Sequence, residues 1–139
     1  MGKLIYATPV SLDGYIADKA GDYDWSAPDE EVFAFINEVM RPIGTYLYGR
    51  KMHETMAVWE TPDVIGDLTP AARDFARIWQ AADKIVYSKS LETFATPKTR
   101  LEREFDPQAI RELKAQLPHD IAVGGPTLAV QAIRAGLVD

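Results

Sequence analysis

The sequence contains no cysteine. That absence removes disulfide frameworks, thiolate nucleophiles, zinc knuckles and iron–sulfur sites together, and it fits a reducing compartment. Histidine is scarce. His53 and His119 stand far apart without ligand-like spacing, so both are read as structural and no metal is expected. No apolar run approaches the ~20 residues of a membrane-spanning helix. The opening MGKLIYATPV is interrupted by Pro9 and carries one lysine, which does not make a signal peptide. Met1-Gly2 is followed by Lys3 and Tyr6, a poor match to a myristoylation start. Runs of basic residues are missing as well. Lys and Arg total 15 against 21 Asp and Glu, a net charge of −6. That balance speaks against nucleic acid and anionic membrane as partners. The expectation is a cytoplasmic protein whose partner is a small molecule.

What is present is ordinary globular composition, 47% hydrophobic and 26% charged over 139 residues. A chain of this length forms one domain and buries roughly 68–70% of its unfolded surface. Residues 3–10 (KLIYATPV) are apolar and β-prone and predict a first strand. Residues 11–25 hold two glycines and four aspartates and predict a long loop. Ser26 is the expected cap of a helix with Pro28 in its first turn and Asp29, Glu30 and Glu31 at its positive end. Val32, Phe33, Phe35, Ile36, Val39 and Met40 then form a wide apolar face. Pro42 and Gly44 end that helix, and residues 45–48 predict a short strand.

Further along, GRKMHETM reads as a short helix and residues 58–68 as a loop. Thr69-Pro70 opens a helix with Ala72, Phe75, Ala76, Ile78 and Trp79 inward. Residues 84–87 predict a strand and 99–105 a more exposed one. Asp106-Pro107 opens a helix reaching about residue 117, with Ile110, Leu113 and Leu117 inward. Residues 120–123 predict a last strand, followed by a helix that Gly124-Gly125-Pro126-Thr127 opens and Gly136 closes. Strands alternating with helices predict an α/β fold, a mainly parallel sheet covered on both faces. Such sheets bind ligands at the carboxyl ends of their strands.

Three strand ends carry suggestive residues. Gly124-Gly125 lets the backbone turn sharply and approach a ligand, and the following helix points free N–H groups there, which favours an anion such as a pyrophosphate. The alternative is a tight turn with no ligand; neither GxGxxG nor GxxxxGK[ST] occurs. Arg50 offers a planar fork for phosphate oxygens and Lys51 a point charge. Ser88 and Ser90 add hydroxyls with Lys89 between them. Together the three ends suit an extended ligand with several phosphates, such as a dinucleotide; singly, each is also an ordinary solvated turn.

Four segments in order, SLDGYIAD, YLYGRKMHETM, KIVYSKSLE and DIAVGGPTLAVQAI, resemble the dihydrofolate reductase-like superfamily, most nearly the branch related to the reductase domain of bifunctional riboflavin-biosynthesis enzymes. The resemblance spans residues 3–139. It implies a three-layer fold with helices on both faces of the sheet, NADPH as cofactor and a homodimer. Gly49 and Arg50 then belong to the turn beside the adenosine phosphates, with Arg50 on the 2′-phosphate and Lys51 nearby. Ser88, Lys89 and Ser90 match the loop at the adenosine end. Gly124, Gly125, Pro126, Thr127 and Leu128 match the pyrophosphate turn. Pro9 to Ile16, with Asp13 and Tyr15 among them, match the segment lining nicotinamide and substrate.

The family's early carboxylate has no fixed register here. Asp29, Glu30 and Glu31 are candidates for it, and each serves equally as a helix N-terminal charge. Asp24 and Trp25 are a second candidate pair, an acid for a substrate amine beside a ring that stacks on a flat substrate. Asp13 is either a catalytic acid or one half of an Asp-Gly turn. Trp59 and Trp79 are expected to be packing residues. Relatives continue past the closing GLVD, which reads as the start of a further strand, so the domain is expected to be C-terminally incomplete. The implied activity is hydride transfer to a C=N or C=O carbon of a pteridine or a ribosylaminopyrimidine. The rival is a non-catalytic nucleotide-binding or dimer-forming module, and a third reading is the fold without any nucleotide.

Overall fold

The computed structural model describes residues 1–139 apart from the side chains of Val64 and Ile65. Five strands form one parallel sheet: β1 (Leu4–Ile5), β2 (Ile43–Gly49), β3 (Asp83–Tyr87), β4 (Thr99–Glu102) and β5 (Asp120–Gly124), in the order β1-β5-β2-β3-β4. Five helices accompany it: α1 (Glu30–Met40), α2 (Arg50–Met56), α3 (Pro70–Ala81), α4 (Pro107–Gln116) and α5 (Pro126–Arg134). The expected layered α/β architecture is the one observed.

Strand alternation explains the two cores. Leu47, Ile85, Ile121 and Val123 point to one face and pack with Ile110 of α4 and Leu128, Ala129 and Ala132 of α5. Tyr46, Tyr48 and Ala122 point to the other and pack with Phe75 and Trp79 of α3, joined by Phe33, Met52 and Trp59. β2, β3 and β5 are buried on both sides, which is why they read as nearly unbroken apolar runs. Each buried aliphatic side chain contributes about 1.5–3 kcal/mol. Trp79 and Tyr48 fasten the second core: the indole Nε1 donates to the Tyr48 hydroxyl at 3.0 Å. Burial then holds the Tyr48 hydroxyl pKa well above the usual phenol value.

The expected first strand is cut to Leu4–Ile5, and residues 7–10 are exposed beyond it. Ser26 is not the helix cap. It lies in a short 3-10 turn, Asp24–Ser26, where its hydroxyl donates to Tyr23 O at 2.7 Å. Asp29 caps α1 instead, accepting from Val32 N–H at 2.9 Å, so Pro28 precedes the helix. The apolar face of α1 is only partly used: Phe33 and Met40 pack inward, whereas Val32, Phe35 and Val39 are 49%, 68% and 37% exposed. The single buried side chain of α1 is Asn37, whose amide donates to Ala71 O. β2 begins at Ile43, two residues before the predicted strand, because Ile43 pairs with Asp120. The strand start expected in GLVD is not formed: residues 137–139 have no regular secondary structure, although Asp139 N–H donates to Leu4 O beside β1 and Lys114 Nζ lies 2.6 Å from the Asp139 carboxylate.

Both histidines serve packing. His119 lies 3.0 Å from Thr45 Oγ1 and His53 lies 3.2 Å from Thr96 Oγ1, through Nε2 in each case. Burial lowers the pKa of His53 from its ordinary value, which favours the neutral ring. Among the described residues no group of three or more His, Asp or Glu side chains is arranged to hold a metal ion. None of the helices is long and apolar enough to cross a membrane.

Lys84 is the unusual core residue. It is 1% exposed, its Nζ sits 3.9 Å over the Trp79 ring, and that atom has no hydrogen-bond partner among the described residues. Burial pulls its pKa down to about 8. A buried ammonium without a hydrogen-bond partner is destabilising, and the cation–π contact and the Glu60 and Asp83 carboxylates offset only part of that. Lys84→Met is therefore expected to raise the melting temperature at pH 7. Between about 8 and the ordinary lysine value of 10.5, the unfolded chain holds a proton the folded chain has released, so parental stability rises with pH in that window. Melting curves from pH 7 to 10 check this: the advantage of Lys84→Met shrinks as pH rises, and a constant advantage would contradict it.

Candidate active site

The carboxyl ends of β5, β2 and β3 are adjacent and level. Tyr48 pairs with Gly124 and Gly49 with Tyr87. The three turns singled out in the sequence therefore meet, and they line one cleft of about 920 Å³. Gly49, Arg50 and Lys51, then Ser88, Lys89 and Ser90, then Gly124 to Leu128 are all on its wall. The volume suits a sizeable organic ligand. Arg50, Lys51, Lys89 and Arg103 face one lining carboxylate, Glu104, and Glu54 pairs with Arg50 from outside the wall, which leaves the cleft net positive. The whole chain carries −6. A basic cleft in an acidic protein focuses potential where an anion enters.

The three cleft glycines have different causes. A Cβ on Gly124 would stand 2.6 Å from the Tyr48 ring, and Gly125 has φ +88° with Met52 at 3.3 Å. The fold itself requires both, with or without a ligand. Gly49 has φ −74°, and a Cβ there meets nothing within 4 Å. Its small size leaves room in the cleft that no protein atom fills.

The remaining groups are donors. Gly125 is the N-cap of α5, and Ala129 N–H closes back onto its carbonyl. The amides of Thr127 and Leu128 are in the first turn, where no intrahelical acceptor exists. Arg50 is braced by Glu54, with Nε to Oε1 at 2.9 Å, and its Nη1 reaches Ser90 Oγ at 3.4 Å. Ser88 Oγ accepts from Leu91 N–H at 3.1 Å, so that hydroxyl shapes its own loop.

Sequence reasoning missed Met52, Thr55, Tyr87, Gln131 and the run Arg103, Glu104 and Phe105, all on the cleft wall. The last three follow β4 and come beside the serine loop only through β3–β4 pairing; the one signal was the strand-like alternation of TRLEREF. Tyr87 and Phe105 meet edge to face, centroids 5.5 Å apart, and burial pushes the Tyr87 pKa up to about 12.

The loop residues gather elsewhere. Asp13, Tyr15 and Trp25 line a second hollow of about 670 Å³ with Ser11, Ala17, Asp18 and Lys19. No residue is shared with the cleft, and Pro9, Ile16, Asp24 and Asp29 line neither hollow. Asp13 is part of a tight turn: Ser11 Oγ donates to its Oδ1 at 2.6 Å, and Gly14 N–H donates to Ser11 O at 2.9 Å. Asp29 is committed to capping α1. Trp25 Nε1 donates to Asp22 O at 3.0 Å, while Asp24 lies in the same short turn with no ligand-facing role in the hollow.

The five-stranded parallel sheet with a basic cleft at its carboxyl edge defines a layered α/β domain with a site suited to an anion. The chain belongs to the RibD C-terminal domain family, whose model matches residues 2–139. The uncharacterized protein YyaP of Bacillus subtilis (strain 168) is 32% identical over 154 aligned positions, covering 99% of this chain and 70% of that protein. The fold matches a putative riboflavin biosynthesis protein from Shewanella sp. PV-4 with TM-score 0.67 at 20% identity, over all of this chain and 73% of that one. It also matches a diaminohydroxyphosphoribosylaminopyrimidine deaminase/5-amino-6-(5-phosphoribosylamino)uracil reductase from Thermotoga maritima, with TM-score 0.59 at 17% identity, over 96% of this chain and 42% of that one.

The glycine assignments are separable by mutation. Gly124→Ala drives a methyl group into a ring held by Trp79 and is expected to lower stability by about 1–3 kcal/mol. Gly49→Ala trades a better N-cap residue for lower unfolded-chain entropy and is expected to change stability by less than about 0.5 kcal/mol. Denaturant titration of both variants checks this; equal losses would mean that Gly49 is also demanded by the fold.

Proposed function

We propose that the protein is an NADPH-dependent reductase acting on a pteridine or ribosylaminopyrimidine. The observation that carries this reading is the net positive charge of a cleft built from three adjacent strand ends. Membership of the RibD C-terminal family and the reductase name of the Thermotoga protein support it. The residues fit the cofactor. Four cations, the open space over Gly49 and the free amides of α5 match a ligand carrying several phosphates along its length.

When bound, the nicotinamide supplies a hydride. The protein's part is binding, orientation and proton management. Arg50, braced by Glu54 and directed toward Ser90, is assigned to the 2′-phosphate. Thr127 and Leu128 offer their amides to the pyrophosphate, and Gly49 permits close backbone approach. The hollow bordered by Asp13, Tyr15 and Trp25 is assigned to the substrate, with the half-exposed Trp25 ring as a surface for a flat heterocycle. Asp13 is preferred over Asp29 as the acid. Ser11 occupies Oδ1 of Asp13 and leaves Oδ2 for a proton, whereas Asp29 Oδ1 accepts the Val32 amide outside both hollows.

Titration with NADPH and NADH, followed by tryptophan quenching, tests the reading. NADPH is expected to bind more tightly than NADH. Arg50→Ala is expected to weaken NADPH by about ten- to a hundredfold, the worth of a charge-assisted contact, and NADH far less. Binding of neither nucleotide would overturn the reductase reading. Binding without NADPH oxidation in the presence of a pteridine or ribosylaminopyrimidine would leave a non-catalytic nucleotide-binding module.

A further inference from the structure

Arg103 follows β4 at the rim of the cleft and is exposed. Its Nη1 donates to two backbone carbonyls, Ser88 O and Leu91 O. Those carbonyls are the two ends of the serine loop. Two other contacts close the same loop: Ser88 N–H donates to Glu102 O at 3.0 Å, which prolongs β3–β4 pairing, and Leu91 N–H donates to Ser88 Oγ at 3.1 Å. Lys89 and Ser90, between the stapled ends, are left exposed on the cleft wall. Arg50 approaches Ser90 from α2, an element separate from β4. The loop that presents Lys89 and Ser90 is thus held between two guanidinium groups, one of them spending its donors on main chain.

We propose that Arg103 is a positioning residue: it staples the 88–91 loop and so presets Lys89 and Ser90 for the phosphate at the adenosine end of the cofactor. The proposal rests on the NADPH reading above. The physical reason is preorganisation. Without the staple the loop keeps only its contacts to Glu102 O, Ser88 Oγ and Arg50, and whatever further ordering the ligand must then impose subtracts from affinity. The single nitrogen Nη1 carries two N–H bonds and so reaches both acceptors while the side chain keeps its charge. The selectivity follows from place. Ser90 and Arg50 stand together on the cleft wall, so a loose loop penalises a ligand with a phosphate beside them more than one without it.

The test uses three variants of the full chain. Arg103→Met is expected to raise the NADPH Kd about tenfold, the scale of ordering one or two side chains and their loop, and to change the NADH Kd less than threefold. Its melting temperature stays near the parental value, since the side chain is exposed. Amide hydrogen exchange across 88–91 speeds up in the same variant. Arg103→Lys, which keeps a donor of similar reach, restores both the exchange protection and the NADPH affinity. Lys89→Met removes one cleft charge without touching the staple, so it weakens NADPH and leaves the exchange unchanged.

Unchanged exchange in Arg103→Met overturns the staple whatever the nucleotide does. Restored protection without restored affinity in Arg103→Lys would make Arg103 a direct ligand contact and overturn the positioning role. If the parental protein binds neither nucleotide, the functional reading fails. Faster exchange in Arg103→Met would then leave a structural staple with no cofactor role, and the proposal would fall with that reading.

Discussion

Tyr48 ties the interior of the protein to its cleft. Its ring stacks on Tyr46, its hydroxyl accepts the Trp79 indole N–H, and its edge occupies the space a side chain on Gly124 would need. The residue stands one position before the end of β2, directly opposite Gly124 on β5. The level at which the two strands finish is therefore set by a buried aromatic contact. Because β3 pairs with the other side of β2, the serine loop inherits the same level. A cleft assembled this way moves only if the core moves, which is what a site needs when its ligand must be held against a second molecule.

Electrostatics follow from that convergence. The acidic residues that give the chain its net charge are spread over helix termini and the long first loop, where Asp18, Asp22 and Asp29 bond nearby backbone amides. The basic side chains of the cleft arrive from three separate stretches of sequence. None of those stretches is basic enough to be read as an anion site alone. Parallel strands with crossover helices put every strand-to-helix turn on one edge, and addition does the rest. The loop carrying Asp13 and Trp25 follows β1, an edge strand of two residues with β5 and β2 between it and β3, and lines a hollow of its own.

Much of this was legible in the residues. Buried strands announced themselves as apolar runs, and proline or aspartate with proline marked the starts of α3, α4 and α5. The three ligand-friendly turns were visible because glycine, arginine and serine at a strand end have few other uses in combination. The errors lay where local signals compete. Ser26 and Asp29 are both good caps, and the backbone chose Asp29 because a short 3-10 turn consumes the Ser26 hydroxyl. The apolar face of α1 is broader than its contact with the core, so periodicity overstated its burial.

Sequence alone determined the class of fold, the lack of cysteine and the identity of three turns at strand ends, since these depend on composition, local propensity and pattern. Tertiary structure decided which residues share a surface. Only strand order makes Gly49, Ser88 and Gly124 neighbours, and only β3–β4 pairing brings Arg103 to the carbonyls of Ser88 and Leu91. It also decided that Gly124 is small for the sake of a tyrosine ring while Gly49 is small with nothing against it. Proximity between residues distant in the chain is set by how buried faces pack, and no local spacing encodes it.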